Sequence, residues 1–255
     1  MTPLQVAILV AAGLAGGMTN ALAGGATFFT FPAMLGIGLA PVIANASNTV
    51  ALWPASLVAV WAQGRRSIAD VRRLLLPLAG VSVVGSAVGA FLLLHTSDRA
   101  FLKLVPFLLL VATALFAGSP LILRRLRARA TDGRVRLDPV KLAMMAVIAL
   151  YGGYFGAGIG IMMMAGLSLS GLDDVRVANA LKNLLAFAIN GVAVVIFVLS
   201  GAVAWPSALV MLAGAVAGGA LGGRLAGIVP VLVLRRTVIA IGSFLTVWYF
   251  WRVYG

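Results

Sequence analysis

Apolar residues run through this chain in long stretches, broken only by short clusters of charge. The stretches are apolar on every face and show no strand-type alternation, which argues for membrane-spanning helices and against a transmembrane barrel. A helix rises 1.5 Å per residue, so about 20 such residues cover the ~30 Å hydrocarbon core of a bilayer. The pattern predicts spans over residues 4–38, 43–63, 74–94, 101–123, 142–170, 175–199, 207–226 and 237–254. The fold expected is an all-α polytopic membrane protein with about 8 transmembrane helices. The first span is too long for one crossing, so a broken or re-entrant segment is expected there and at its counterpart 142–170.

Composition sharpens this picture. Mean hydropathy is +1.11 and only 10% of residues are charged, against about 25% in soluble domains. The net charge of +13 sits between the spans, in Arg65, Arg66, Arg72 and Arg73 and then in Arg124, Arg125, Arg127, Arg129, Arg134 and Arg136. That distribution fits cytoplasmic loops under the positive-inside bias rather than a nucleic-acid surface, so 64–73 and 124–141 are expected to be cytoplasmic in a bacterial-type inner membrane. No Lys or Arg precedes Arg65, so the first helix is expected to be retained rather than cleaved as a signal peptide. There is no cysteine, which excludes disulfides and thiolate metal sites. Most of Trp53, Trp61, Trp205, Trp248 and Trp251 fall near span ends, where aromatic belts sit.

An internal duplication organises the chain. A single gapless shift of 134 residues lays Gly24 on Gly158, 44–46 on 178–180, 58–60 on 192–194, 78–80 on 212–214, Gly85 on Gly219, Gly89 on Gly223 and Phe116 on Phe250. This predicts a first transmembrane repeat at 1–123, a basic linker at 124–141 and a second repeat at 142–255, the plan of many secondary transporters. One crossing per opening segment makes the halves parallel; two passes make them inverted. The charge pattern favours inversion, which puts Arg235 and Arg236 on the side of the other arginine pairs.

Two constellations carry candidate chemistry. Gly13, Gly16, Gly17, Gly24 and Gly25 are matched by Gly152, Gly153, Gly156, Gly158 and Gly160. Small residues let helices approach closely, but glycines beside Asn20, Thr27 and Pro32 also suit helix breaks whose N-termini attract anions. The hinge candidates are Gly24, Gly25, Gly156, Gly158 and Gly160. The second constellation is a polar stripe: Asn45, Asn48 and Thr49 at i, i+3 and i+4, repeated by Asn179, Lys182 and Asn183, with Asn190 one further turn pair along. Polar groups inside a span are costly without partners, so they mark a site or an interhelical contact. Lys182 either snorkels to the interface or sets a fixed positive charge in a polar cavity. Trp53 is the tryptophan placed to touch substrate. The substrate-binding set expected is therefore Asn20, Thr27, Asn45, Asn48, Thr49, Trp53, Asn179, Lys182, Asn183 and Asn190.

The acidic inventory bounds the mechanism. There is no glutamate, and Asp70, Asp98, Asp132, Asp138, Asp173 and Asp174 all lie in loops or at predicted helix ends. No carboxylate is placed to carry protons within a span. His95, the single histidine, sits beside Thr96, Ser97 and Asp98 at a span end and reads as a solvated loop residue. No cofactor, metal site or enzyme activity is expected. The reading is a carrier for small anions. An inside-negative potential drives an uncoupled anion outward at about 2.3 kcal/mol per charge per 100 mV, so export is favoured over uptake. A channel, a permease for another organic anion and a non-catalytic scaffold are the alternatives. Lipid is the expected surrounding, and exposed apolar faces admit a homodimer.

The residues also resemble the TauE/SafE sulfite exporter family, or toluenesulfonate uptake permeases. The likeness lies in two glycine-rich openings, GGATFFTFP at 24–32 and GGYFGAGIG at 152–160, followed by LAPVIANASN at 39–48 and GLDDVRVANALKN at 171–183. The closing stretches SGAVAWP at 200–206 and GGALGGRLA at 218–226 extend it over nearly the whole chain. The resemblance implies transport of sulfite, sulfoacetate or other organosulfonates. The chain departs from the family pattern at Ala26 and Thr27, which interrupt the first glycine run, and at Lys182, where a small hydroxyl residue is more common.

Overall fold

The computed structural model describes residues 1–22, 25–62, 64–129, 138–170, 172, 175–225 and 231–255. Ten helices occupy the described residues: α1 (Pro3–Leu22), α2 (Thr27–Gly36), α3 (Pro41–Ala62), α4 (Gly64–Leu94), α5 (Asp98–Arg129), α6 (Pro139–Tyr154), α7 (Ile159–Leu169), α8 (Val175–Leu199), α9 (Trp205–Leu225) and α10 (Val231–Tyr254). Among the described residues, five stretches are long and apolar enough to cross a membrane: in α1, α4, α5, α8 and α9. The protein is an all-helical, multi-pass membrane protein.

Both opening segments are split. α2 and α7 are only 10 and 11 residues long, and each folds back on the helix before it. In the first hairpin Gln5 Nε2 donates to Ile37 O at 3.1 Å, and Gly16 faces the side chain of Thr30. In the second, Gly166 lies against Met144, Met145 and Ile148. The opening stretch of 35 residues thus becomes a pair of antiparallel segments, which is why no single long helix occupies 4–38.

Helix directions follow from contacts of known register. α1 runs parallel to α9, because Val10 meets Gly214 and Leu14 meets Gly218. α3 also runs parallel to α9: Ser47 Oγ accepts from Ala204 N at 2.8 Å, and Pro54 and Leu212, each further along its helix, line one cavity. α6, in contrast, ends where α3 begins, since Asn45 Nδ2 donates to Tyr154 O at 2.9 Å. Tyr154 also reaches Thr96 before α5. α1 and α6 therefore run in opposite directions.

Glycine and proline explain the packing. A methyl at Gly17 would collide with the carbonyl of Ala215, and one at Gly89 with that of Leu150, so these positions let α1 settle on α9 and α4 on α6 backbone to backbone. Pro120 lies inside α5 and withholds the amide that would bond the Phe116 carbonyl. Ser119 of α5 and Arg235 of α10 supply donors in its place: Ser119 Oγ reaches Phe116 O at 3.0 Å, Arg235 Nε and Nη2 reach the same oxygen at 3.3 and 3.0 Å, and Nη2 reaches Ala117 O at 2.7 Å.

Candidate functional site

The break between α6 and α7 interrupts the backbone hydrogen bonding of the helical body. Phe155 N and Gly156 N both donate to Tyr151 O, at 2.8 and 3.1 Å, which ends α6. Gly156 and Gly158 then take φ of +79° and +75°, a left-handed conformation that costs an L side chain about 1–2 kcal/mol. With its amides diverted, the last turn of α6 leaves the Gly152 and Gly153 carbonyls without an amide donor among the described residues. α7 begins with no side-chain cap, and Gly160 N–H finds no protein acceptor among the described residues. The break thus presents two faces of opposite polarity: carbonyls at the C-terminal end of α6 and amides at the N-terminal end of α7.

Side chains hold this loop in place. The buried phenol of Tyr151 donates to Ala157 O at 2.9 Å. Phe155 packs edge-on against Phe31 of α2 and Phe101 of α5, with centroids 5.4 and 6.2 Å apart. Gly158 rests on Ala112 in the middle of α5.

Two members of the predicted polar stripe converge on the break from different helices. From α3, Asn45 brackets the end of α6 through the Tyr154 carbonyl. From α8, the half-buried Lys182 lies over the start of α7, its Cδ 3.7 Å from where a Cβ of Gly160 would be. Lys182 forms no ion pair or hydrogen bond among the described residues. Asn45 and Asn48 are 1% and 2% exposed, and the Oδ1 atom of each has no hydrogen-bond partner. Burying a polar atom unpartnered costs about 1–3 kcal/mol, so two on adjacent turns of one helix are a signal.

The other predicted residues divide. Thr49 turns its hydroxyl back to Asn45 O. Trp53 donates its indole N–H to Phe187 O at 3.1 Å and stacks on the Phe187 ring at 5.1 Å, so its polar group is engaged between α3 and α8. Thr27 is buried at the start of α2, which lacks a side-chain cap, and Gly25 precedes it with φ of +94°. Asn20, Asn183 and Asn190 are half-buried. Gly160 is helical rather than a hinge. Gly24 and the side chain of Asn179 lie outside the described residues. Of the opening glycines, Gly13, Gly17 and Gly153 serve close packing on neighbouring backbones, while Gly25, Gly156 and Gly158 shape the breaks.

Tyr151 and the Gly152 and Gly153 carbonyls were not singled out from sequence. A phenol in the apolar run 142–170 was the available signal, since a buried Tyr hydroxyl needs a partner. A cavity of about 210 Å³ between α3, α8 and α9, lined by Val50, Trp53, Val194, Trp205 and Leu212, is apolar and offers nothing to an ion.

Comparison with known proteins bears on this arrangement. The model of the sulfite exporter TauE/SafE family matches residues 9–249. A probable membrane transporter protein of Haemophilus influenzae is 28% identical over 250 residues, covering 94% of this chain and 92% of that protein. A probable membrane transporter protein, ORF9, of Sinorhizobium sp is 29% identical over 245 residues, covering 92% and 91%. The probable membrane transporter protein YfcA of Escherichia coli K12 is 27% identical over 226 residues, covering 88% and 82%. No solved structure matches.

Proposed function

The chain belongs to the TauE/SafE sulfite exporter family, and from that premise we propose that it is a secondary transporter carrying small sulfur-containing anions, such as sulfite, sulfoacetate or other organosulfonates, across the inner membrane. The observation that carries this reading is the start of α7, where Gly160 N–H has no acceptor among the described residues and the stem of Lys182 lies against Gly160. Helix N-termini hold anions through such amides, aided by the helix dipole. Sulfite and sulfonate groups offer acceptor oxygens, which complement an N–H and an ammonium. The relatives' names place them among membrane transporters, which supports transport rather than catalysis.

The same proposal gives the chain two homologous halves, 1–123 and 142–255, joined by the basic linker 124–141. Three observations support it. The shift of 134 residues carries α1 onto α6 and α2 onto α7, each pair hairpin-shaped. It carries α1 on α9 onto α6 on α4, both of which pack closely. It also carries Trp53 onto Phe187, which stack on each other, as residues on a pseudo-two-fold axis do. The antiparallel directions of α1 and α6 favour inverted halves. In that arrangement 64–73, 124–141 and Arg235–Arg236 share one face, which the positive-inside bias makes cytoplasmic. No aspartate lies inside a span to carry a proton, so a bare anion runs outward with the membrane potential.

Flux of radiolabelled sulfite and sulfoacetate in proteoliposomes tests the reading. Saturable flux of either supports a carrier. Linear, non-saturating flux points to a channel. No flux of either anion from folded protein overturns the sulfur-anion assignment and leaves a carrier of another anion or a scaffold.

A further inference from the structure

The opposite face of the same break is built for a different ion. We propose that Asn45 Oδ1, Asn48 Oδ1 and the terminal carbonyls of α6 form a binding site for a monovalent cation of sodium size. Asn45 and Asn48 are almost wholly buried and their Oδ1 atoms lack any partner. Asn45 is pinned beside the end of α6 by its own amide, which donates to Tyr154 O. Tyr154 directly follows Gly152 and Gly153, whose carbonyls the turn at Phe155 and Gly156 has left without amide donors among the described residues. Asn48 is one turn further along the same face of α3.

The buried side-chain atoms left unpartnered here, Asn45 Oδ1 and Asn48 Oδ1, are neutral acceptors, as are the terminal carbonyls of α6. An anion gains nothing from those oxygens. A water molecule has two protons to give, which is fewer than the four acceptors present. A hard monovalent cation is satisfied by several neutral oxygens, whereas a divalent ion is held mainly by carboxylates, and no Asp lies in α3 or α6. The negative end of α6 adds attraction, and helix C-termini with unwound carbonyls coordinate such ions in transporter breaks. Lys182 sits instead over Gly160 at the start of α7, so the loop 155–158 separates the cation's place from the anion's. A cation and an anion bound together carry no net charge, and the voltage that drives a bare anion outward has no hold on the pair. The use of this site in transport rests on the anion reading above; its occupancy does not.

The test is thermal unfolding of the purified full chain in sodium chloride against choline chloride at equal ionic strength, with no sulfur anion present. Wild type is expected to melt several degrees higher in sodium, in a saturable manner, because a ligand that binds only the folded state stabilises it. Asn48→Leu, which breaks no side-chain hydrogen bond among the described residues, should still unfold cooperatively and lose the sodium response. Asn48→Asp should keep it, with the midpoint moved to lower sodium. Equal melting of wild type in the two salts, or an unchanged sodium response in Asn48→Leu, overturns the site. Sulfite flux alongside a missing sodium response sinks the cation site and leaves the carrier; a sodium response without flux does the reverse.

Discussion

Replacing Lys182 by Met isolates the charge at the start of α7. Met keeps a flexible apolar stem of similar reach, so the packing against Gly160 is preserved while the ammonium is lost. Lys182 has no ion pair or hydrogen bond among the described residues, so its removal strands no acceptor among them, and the melting temperature should hold or rise. Binding of an anion loses one charge-assisted hydrogen bond, worth about 1.5–3 kcal/mol. At 1.4 kcal/mol per tenfold, that weakens apparent affinity by roughly 10- to 150-fold. Sulfite flux in proteoliposomes should show it as a raised KM, and Lys182→Arg, which keeps a cation, should recover most of the loss. An unchanged KM and maximal rate in a folded Lys182→Met would refute the reasoning and return Lys182 to the status of a lysine reaching for the interface.

Gly158→Ala should lower the melting temperature by the equivalent of about 1–2 kcal/mol, because Gly158 takes φ of +75°. Its Cβ, 3.4 Å from that of Ala112, fits, so a wild-type melt would contradict the argument from backbone conformation. Arg235→Met removes its hydrogen bonds to the Phe116 and Ala117 carbonyls, leaving Phe116 O to Ser119 Oγ alone, and should destabilise by about 1–3 kcal/mol without changing the KM for anion, since Arg235 is spent on α5. Asp138, at the start of α6, donates nothing but accepts from Lys141 N, and that bond holds its carboxyl below the usual 3.8. The folded value being the lower one, its stabilising effect is complete above pH 3.8 and fades as pH falls through the depressed value; Asp138→Asn should flatten that part of the melting profile. Because the chain has no cysteine, single substitutions report sidedness: Ser97→Cys and Ser200→Cys should react with an impermeant maleimide added outside, and Val140→Cys and Arg236→Cys only after permeabilisation. Labelling of Arg236→Cys from outside would exclude the inverted arrangement.

The helices were legible because apolar length is nearly sufficient to define a span, and α3 and α8 fall within a residue or two of the stretches read from sequence. Two ends were missed for a simple reason. α4 starts at Gly64 and α5 runs to Arg129, because a helix does not stop where the hydrocarbon does and the backbone ladder continues beyond it. The split openings were legible as breaks, but glycine alone fits both a straight helix in close contact and a reversal. What decides for reversal is tertiary, as in the bond from Gln5 to Ile37. Asn45 was legible as a polar residue in a span, yet its partner, the Tyr154 carbonyl, lies 109 residues away. Trp53 read as a substrate contact, whereas its N–H is spent on Phe187, and Arg235 read as a topological marker, whereas it also repairs a proline gap in α5.

The contrast between glycines inside this one chain separates packing from binding. Gly13 and Gly17 sit in the unbroken body of α1 and let α9 come close; close packing asks no more of a glycine than that. Gly156 and Gly158 add nothing to an interhelical approach of that kind, and they remove backbone hydrogen bonds inside a span, where each unsatisfied group costs several kcal/mol. A continuous helix would have kept those bonds. Tyr151, Phe155 and Asn45 then hold the interrupted loop in one conformation, so the interruption is maintained rather than tolerated. The groups it frees, amides on one side and carbonyls on the other, are repaid only when something outside the chain satisfies them. Under the inverted arrangement the first half has Asn48 where the second has Lys182, so the pair of breaks holds a single fixed charge. The two proposed sites, one for an anion and one for a cation at opposite ends of the α6–α7 break, rest on that departure from symmetry.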